Sequence, residues 1–320
     1  MNPARPHVLV SRAIFPEIID RLAQHFDVEA NQADELWPRD EFIRRLQGKQ
    51  GVFTTGVERI DADVLKACPG LKICANMAVG YNNFDVPAMT AAGVLTETTA
   101  DMGFALLMAA ARRVTESEHF LRAGKWDRWA YDMMIGQDVH GSTLGILGMG
   151  RIGQAVARRG ALGFGMNVIY HNRSRLPEAE EVAVKARYVG KQELLQTADH
   201  LVLVVPYSAE SHHSIGAAEL ALMKPTATLV NIARGGIVDD VALAKALRER
   251  RLAAAGLDVF EGEPRVHPDL LACSNVVLTP HIGSATVPTR KAMANLAVDN
   301  LIGYLTGGKP VTPLNPEVMG

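Results

Sequence analysis

The sequence predicts an α/β protein built on parallel sheets, and three observations predict it. Strand-like apolar runs alternate with helical patterns from end to end, the order that produces parallel sheets with helices on their faces. The runs of the second half are almost continuously apolar, as strands buried on both faces must be. One of them leads straight into a glycine-rich turn, Gly148-x-Gly150-x-x-Gly153, that opens a helical pattern. At 320 residues the chain is long enough for two compact units, each with its own core.

The elements follow in order. "HVLV" (7–10) precedes the amphipathic "PEIIDRLAQHF", and "GVFTT" (51–55) and "LKICANM" (71–77) each follow a helical segment. "ADMGFALLMAAARRVTESEHFLRAG" reads as one long apolar helix with no breaker before Gly124 except Gly103 near its start. A second series then supplies "TLGILG" (143–148), "NVIYH" (167–171), "HLVLVVP" (200–206), "ATLVNIA" (227–233), "LAAAGLDVF" (252–260) and "NVVLTPHIG" (275–283). After residue 285 the chain returns to a helical pattern, "RKAMANLAVDNLIGYL".

The bulk numbers exclude several classes. A formal net charge of −2 gives no pull toward nucleic acid or an anionic membrane. Cys68, Cys74 and Cys273 are too few for a disulfide framework, and fit small core residues in a reducing compartment. The apolar runs fall well short of the ~18 residues of a membrane span, and the N-terminal one is too short for a signal peptide. A soluble, cytoplasmic protein is expected. No metal site is expected either: His212 and His213 are adjacent, with only Glu210 near them in sequence.

The glycine loop has the context that gives such a motif meaning, a strand before it and a helix after it. Gly148 permits the tight turn, Gly150 lets backbone approach a pyrophosphate, and Gly153 lets helix and strand pack closely. Arg151 and Ile152 would offer backbone N–H groups to the phosphates at the helix N-terminus. A dinucleotide is the implied ligand. The acid that holds a ribose is expected ~20 residues beyond the motif, yet this chain places Asn172, Arg173, Ser174 and Arg175 there. A carboxylate would repel a 2′-phosphate, whereas guanidinium forks bind it. The loop therefore reads as selecting NADPH; the alternative is a pair of solvated arginines beside a site that also takes NADH.

Arg234 ends "LVNIARGG", Glu263 follows "LDVFEGEP" and His281 ends "VVLTPHIGSAT". Each comes from a different strand end, where open α/β sheets bind ligands; Pro206 at a further strand end and Ala233 beside Arg234 are candidate cofactor contacts. Hydride transfer to a keto acid needs a cation for the carboxylate, an acid for the developing alkoxide and a carboxylate behind that acid. Histidine is the natural proton donor near neutral pH.

These stretches, with "AVGYNNFDV" and "TETTAD" upstream, resemble the D-isomer-specific 2-hydroxyacid dehydrogenase family over almost the whole chain. The likeness is greatest to its bacterial 2-ketogluconate reductase and glyoxylate/hydroxypyruvate reductase branch. The resemblance implies two doubly wound, Rossmann-like domains. A flavodoxin-like substrate domain would comprise residues 1–95 and 286–320, with the dinucleotide-binding domain, 96–285, inserted in it. It implies reduction of a small 2-keto acid (2-ketogluconate, glyoxylate or hydroxypyruvate) to the D-2-hydroxy acid, in a homodimer formed through the cofactor domain. Arg234 would hold the substrate, His281 would donate the proton, and Glu263 would orient and charge His281. Asp258 would bind the nicotinamide carboxamide, Thr99 would lie near the cofactor, and the backbone N–H groups of Val79 and Gly80 would take the substrate carboxylate.

The sequence departs from the family in one place. Gly93 is followed by only Val94 and Leu95 before Thr96, which at ~3.3 Å per residue leaves no room for the strand expected there. In the family that strand leads into the first hinge between domains. Two other readings accommodate the departure: an NAD(H)-sensing binding protein on the same fold, or a cofactor-binding homologue with little turnover. Oxidation of 3-phosphoglycerate with NAD is disfavoured by the arginine loop.

Overall fold

The computed structural model describes residues 5–77 and 94–313, with only the backbone for 94–96. The chain divides into two compact units, Met1–Leu95 with Ser284–Gly320, and Thr96–Gly283.

The first unit carries a four-stranded parallel sheet, β1 (His7–Val10), β2 (Asp27–Ala30), β3 (Gly51–Thr54) and β4 (Ile73–Asn76), in the order β2-β1-β3-β4. The C-terminal helix Val287–Gly307 belongs to this unit because its apolar residues have nowhere else to go. Met293, Ala294, Ala297, Val298 and Leu301 pack with Val8, Val10 and Phe53 in one core. Fully burying a Met, Val or Leu side chain among them contributes roughly 1.5–3 kcal/mol. The helix is capped at its start by the Thr286 hydroxyl and ends at Gly308, in the left-handed conformation.

The second unit carries seven parallel strands, β5 (Thr143–Leu147), β6 (Asn167–His171), β7 (Ala186–Tyr188), β8 (His200–Leu203), β9 (Thr228–Asn231), β10 (Ala254–Leu257) and β11 (Val276–Leu278). Their order is β11-β10-β9-β8-β5-β6-β7. Every residue of β8, β9 and β10 is buried, which is why their sequences are apolar without alternation. Two strands are not legible in the sequence, β2 ("DVEA") and β7 ("ARY"). Both are edge strands with one partner each and partly exposed side chains, so burial imposes little hydrophobic pattern on them.

One expectation is corrected. The long helix read through "ARRVTESEHF" is two helices, Val94–Ala111 and Val114–Arg122. Arg113 takes a left-handed conformation, φ +54°, without being glycine. Its guanidinium grips Glu116 at 2.9 and 2.8 Å and donates to the Ile135 carbonyl. The Ala111 carbonyl is taken by the Gln137 N–H at 2.8 Å. Ile135 and Gln137 lie more than twenty residues away in sequence, so no local signal announces their part in the break.

Candidate active site

Within the seven-stranded sheet, β5 has β6 on one side and β8 on the other. Strand order reverses there, and the crevice beyond those carboxyl ends is where such sheets bind ligands. Gly148 follows β5 with φ +101°; a Cβ there would stand 2.8 Å from the Val204 and Val205 backbone beyond β8. A Cβ on Gly153 would stand 2.3 Å from the Gly148 carbonyl oxygen. Between them Gly150 caps the helix Arg151–Arg158 and has open space where its Cβ would be. The cradle therefore fits a dinucleotide: two glycines are filled from within the protein, and the third leaves backbone open to phosphate at the helix N-terminus.

The loop after β6 separates its two arginines. Asn172 turns inward, its side-chain oxygen accepting the Met149 N–H at 2.6 Å and its carbonyl accepting the Tyr188 hydroxyl. Arg175 grips the buried Glu181 through Nε and Nη2 at 2.9 and 2.7 Å. Glu181 also accepts the Tyr170 hydroxyl at 2.6 Å, and that hydroxyl accepts the Leu176 N–H. Arg175 and Tyr170 hold the Glu181 carboxyl down at about 2. Burial and the bond to Glu181 push Tyr170 up to about 12. Arg173, Ser174 and Arg175 are all exposed, but Arg175 is tied to Glu181 as part of a lock that shapes the loop. The Ser208 hydroxyl, and then the charge of Arg173, help hold Glu210 below the usual carboxylate range.

Arg234, Glu263 and His281 follow β9, β10 and β11, three neighbours in the sheet. His281 Nδ1 meets Glu263 Oε2 at 2.7 Å, and Glu263 Oε1 accepts the Phe260 N–H at 2.9 Å. Burial would raise the Glu263 carboxyl, but the His281 ring, the Phe260 N–H and the Arg234 charge outweigh it and hold the group below its ordinary value. With Nδ1 engaged, Nε2 is the His281 nitrogen left to face a substrate.

Asp258 shapes the loop that carries His281. It is 2% exposed. Its Oδ1 accepts the Thr279 hydroxyl at 2.6 Å and the Ile282 N–H at 2.8 Å, and Oδ2 accepts the Gly283 N–H at 2.7 Å. His281, between those anchors, sits at φ +53°. Thr99, buried, packs beside Gly283. Behind Arg234, Asn231 plays the equivalent part: its amide donates to the Arg234 carbonyl at 3.1 Å and its oxygen accepts the Ala233 N–H at 3.0 Å. The Arg234 guanidinium also donates to the Ala233 carbonyl at 2.7 Å.

Asn231 and Thr279 are the positioning residues that sequence reasoning missed. The available signal was a polar residue breaking an apolar run two or three positions before Arg234 or His281. Pro206 follows β8 and is exposed, whereas Ala233 is buried. Val79 and Gly80 lie outside the described residues. A cavity of about 340 Å³ opens at the other edge of this sheet, lined by Thr228, Ala254 and Val276. These residues begin β9, β10 and β11, so the cavity is remote from the strand ends that carry Arg234, Glu263 and His281.

A dinucleotide cradle at the switch point, with an arginine and a carboxylate–histidine pair on neighbouring strand ends, defines a nicotinamide-dependent oxidoreductase of small keto or hydroxy acids. Residues 104–283 match the D-isomer specific 2-hydroxyacid dehydrogenase NAD-binding domain, and the chain belongs to that family. It is 48% identical to a glyoxylate reductase of Thermococcus gammatolerans over 327 positions, covering 98% of this chain and 97% of the relative. Identity to the glyoxylate reductase of Pyrococcus furiosus is 44%, over 98% and 97% of the two chains. Among solved structures, a protein of Thermus thermophilus superposes with a TM-score of 0.87 at 41% identity, over 96% of this chain and 99% of that one. The NADPH-dependent glyoxylate/hydroxypyruvate reductase of Sinorhizobium meliloti, in complex with NADP and malonate, gives 0.79 at 34%, over 97% of each chain. The chain is a keto acid reductase of the D-2-hydroxyacid dehydrogenase type. Among the described residues, no helix is long and apolar enough to cross a membrane.

Proposed function

We propose that this enzyme uses NADPH to reduce glyoxylate and its small relatives, hydroxypyruvate and 2-ketogluconate, to D-2-hydroxy acids. The observation that carries the reading is the His281–Glu263 pair at 2.7 Å with Arg234 on the neighbouring strand end. The glyoxylate reductases at 42–48% identity support the substrate. When bound, the reduced nicotinamide supplies the hydride. Arg234 holds the substrate carboxylate and polarises the keto oxygen. His281 Nε2 passes its proton to that oxygen as the carbonyl becomes a hydroxyl. Glu263 keeps the ring oriented through Nδ1.

Arg173, with Ser174, reads the 2′-phosphate, supported by the absence of any acid between Tyr170 and Arg175 and by the NADPH dependence of the Sinorhizobium enzyme. Arg175 supports that reading only through the loop it shapes. Asp258 has three donors on a carboxylate that can accept about four, so it takes the carboxamide through the acceptor position that remains. Thr99 lines the cofactor side. Residues 1–95 and 286–320 form the substrate domain, where Val79 and Gly80 offer N–H groups to the carboxylate. A cytoplasmic homodimer is the assembly we propose. Leu121, Trp126, Trp129, Tyr131 and Ile135 are each more than half exposed along one segment of the cofactor domain, a surface suited to a second copy. Analytical ultracentrifugation should give twice the chain mass.

A second reading, a cofactor-binding homologue with little turnover, is favoured by the short connection after Gly93. The alignment to the Thermococcus gammatolerans enzyme runs over 327 positions, more than the 320 residues here, so that relative has residues without a counterpart in this chain. Initial rates with NADPH and NADH on glyoxylate, hydroxypyruvate and 2-ketogluconate decide between the two. Fast turnover favouring NADPH supports the reductase. Tight NADPH binding with negligible turnover on all three supports the second reading.

A further inference from the structure

The sequence around His212 and His213 offers only Glu210 as a neighbouring ligand, but the fold supplies a different one. Glu261, from the loop after β10, comes to the loop after β8, and its Oε2 lies 2.8 Å from His213 Nε2. The two imidazoles stack with centroids 3.9 Å apart and planes 21° from parallel. One ligand atom from each of the three side chains falls within 4.8 Å of the others. We propose that His212, His213 and Glu261 bind a divalent transition ion of the zinc class, outside the catalytic constellation.

Two imidazoles and one carboxylate suit zinc, nickel, copper or cobalt, whereas magnesium and calcium prefer all-oxygen sets. Across a tetrahedral ion with bonds of about 2.0–2.1 Å, ligand atoms stand about 3.4 Å apart. His213 and Glu261 must therefore open slightly, and the widest separation, at most 4.8 Å, must close by no more than about 1.4 Å. His212 is exposed, so its ring can turn inward without disturbing a core. A ligating imidazole usually has its other nitrogen hydrogen-bonded, and the Tyr207 hydroxyl lies 3.1 Å from His212 Nδ1 to provide such a contact.

The other two ligands are already anchored through their backbones. The His213 N–H donates to the Gly236 carbonyl at 2.7 Å, and the Glu261 N–H to Asp240 Oδ2 at 3.1 Å. Three protein ligands leave one position for water, an open site. An ion held there would join the loop after β8 to the loop that also carries Glu263.

The test is calorimetric titration of the chelator-stripped, full-length protein with ZnCl2, and with CoCl2 read by its visible ligand-field absorption. One ion per chain is expected, with low-symmetry cobalt bands, a higher Tm on addition of zinc, and affinity at least about tenfold weaker in His212→Ala and in Glu261→Gln. His212→Ala removes an exposed ring and keeps the His213–Glu261 contact, so it separates lost ligation from lost folding. His281→Ala controls for zinc at the catalytic pair and should leave the binding intact. Unchanged affinity in both ligand variants, or loss in His281→Ala alone, would overturn the proposal. So would binding only near millimolar zinc, an adventitious ion only.

Discussion

Two carboxylates in the cofactor-binding unit grip a nitrogen at the same 2.7 Å distance, yet they serve opposite ends. Glu181 holds Arg175, a permanent cation, spends its other contacts on Tyr170, and is held at about 2. Glu263 holds His281, an imidazole able to hand on a ring proton, and anchors itself on one backbone N–H. The first pair can only keep a shape. The second leaves a ring nitrogen facing outward and a charge that chemistry can change. Ion-pair length therefore says little about role; what matters is whether the cation titrates and whether it has an atom to spare.

The comparison is broken most directly at its active end. His281→Ala should lower kcat by roughly 10²–10⁴-fold while NADPH still binds, checked by fluorescence titration; normal kcat would remove the proton-donor assignment. Glu263→Gln keeps the Phe260 contact but removes the charge, and kcat should fall by roughly 10² or more, as orienting carboxylates commonly cost. Because Glu263 is held below its ordinary value of 4.5, its ionised form persists as pH falls through that value. A kcat/KM profile limited by Glu263 at or above pH 4.5 would contradict the observed environment.

The two arginines of the β6 loop sharpen the same contrast. Arg173→Asp should raise KM for NADPH by about tenfold or more, because it sets a carboxylate against the phosphate, and change KM for NADH far less. Arg175→Ala should leave the ratio of the two KM values within about threefold, and lower Tm by leaving Glu181 without its cation. Equal effects of the two substitutions on that ratio would erase the distinction between lock and reader.

The smallest effect belongs to Glu181 itself. Its folded pKa is depressed to about 2, so its stabilising contribution is fully present above its ordinary value of 4.5 and is lost as pH falls toward 2. Wild type should exceed Glu181→Gln in Tm at pH 6, and the gap should close across that window. A gap independent of pH would mean that shape rather than charge makes the contact.

Much of this was legible in the chain. The central strands announce themselves because burial on both faces forces continuous apolar runs, and "GMGRIG" because close backbone approaches exclude side chains at Gly148 and Gly153. Arg234, Glu263 and His281 stand out as polar residues directly after such runs. The edge strands β2 and β7 do not, since one-sided pairing and partial exposure leave composition free. Nor does the break at Arg113, which depends on Ile135 and Gln137 returning from far along the chain. Asn231 acts through backbone hydrogen bonds and Thr279 through the Asp258 carboxylate twenty-one residues away, so each shows in the sequence only as a polar residue interrupting an apolar run.

The sequence by itself determined the fold class, the dinucleotide loop and the candidate acid–base residues, because each is written in local pattern and strand-end chemistry. Only the tertiary structure decided that Arg175 pairs with Glu181, that Asp258 holds the His281 loop, and that Glu261 meets His213. Those outcomes depend on which partner reaches a side chain first, and such distances exist only once the sheet has closed its neighbours together.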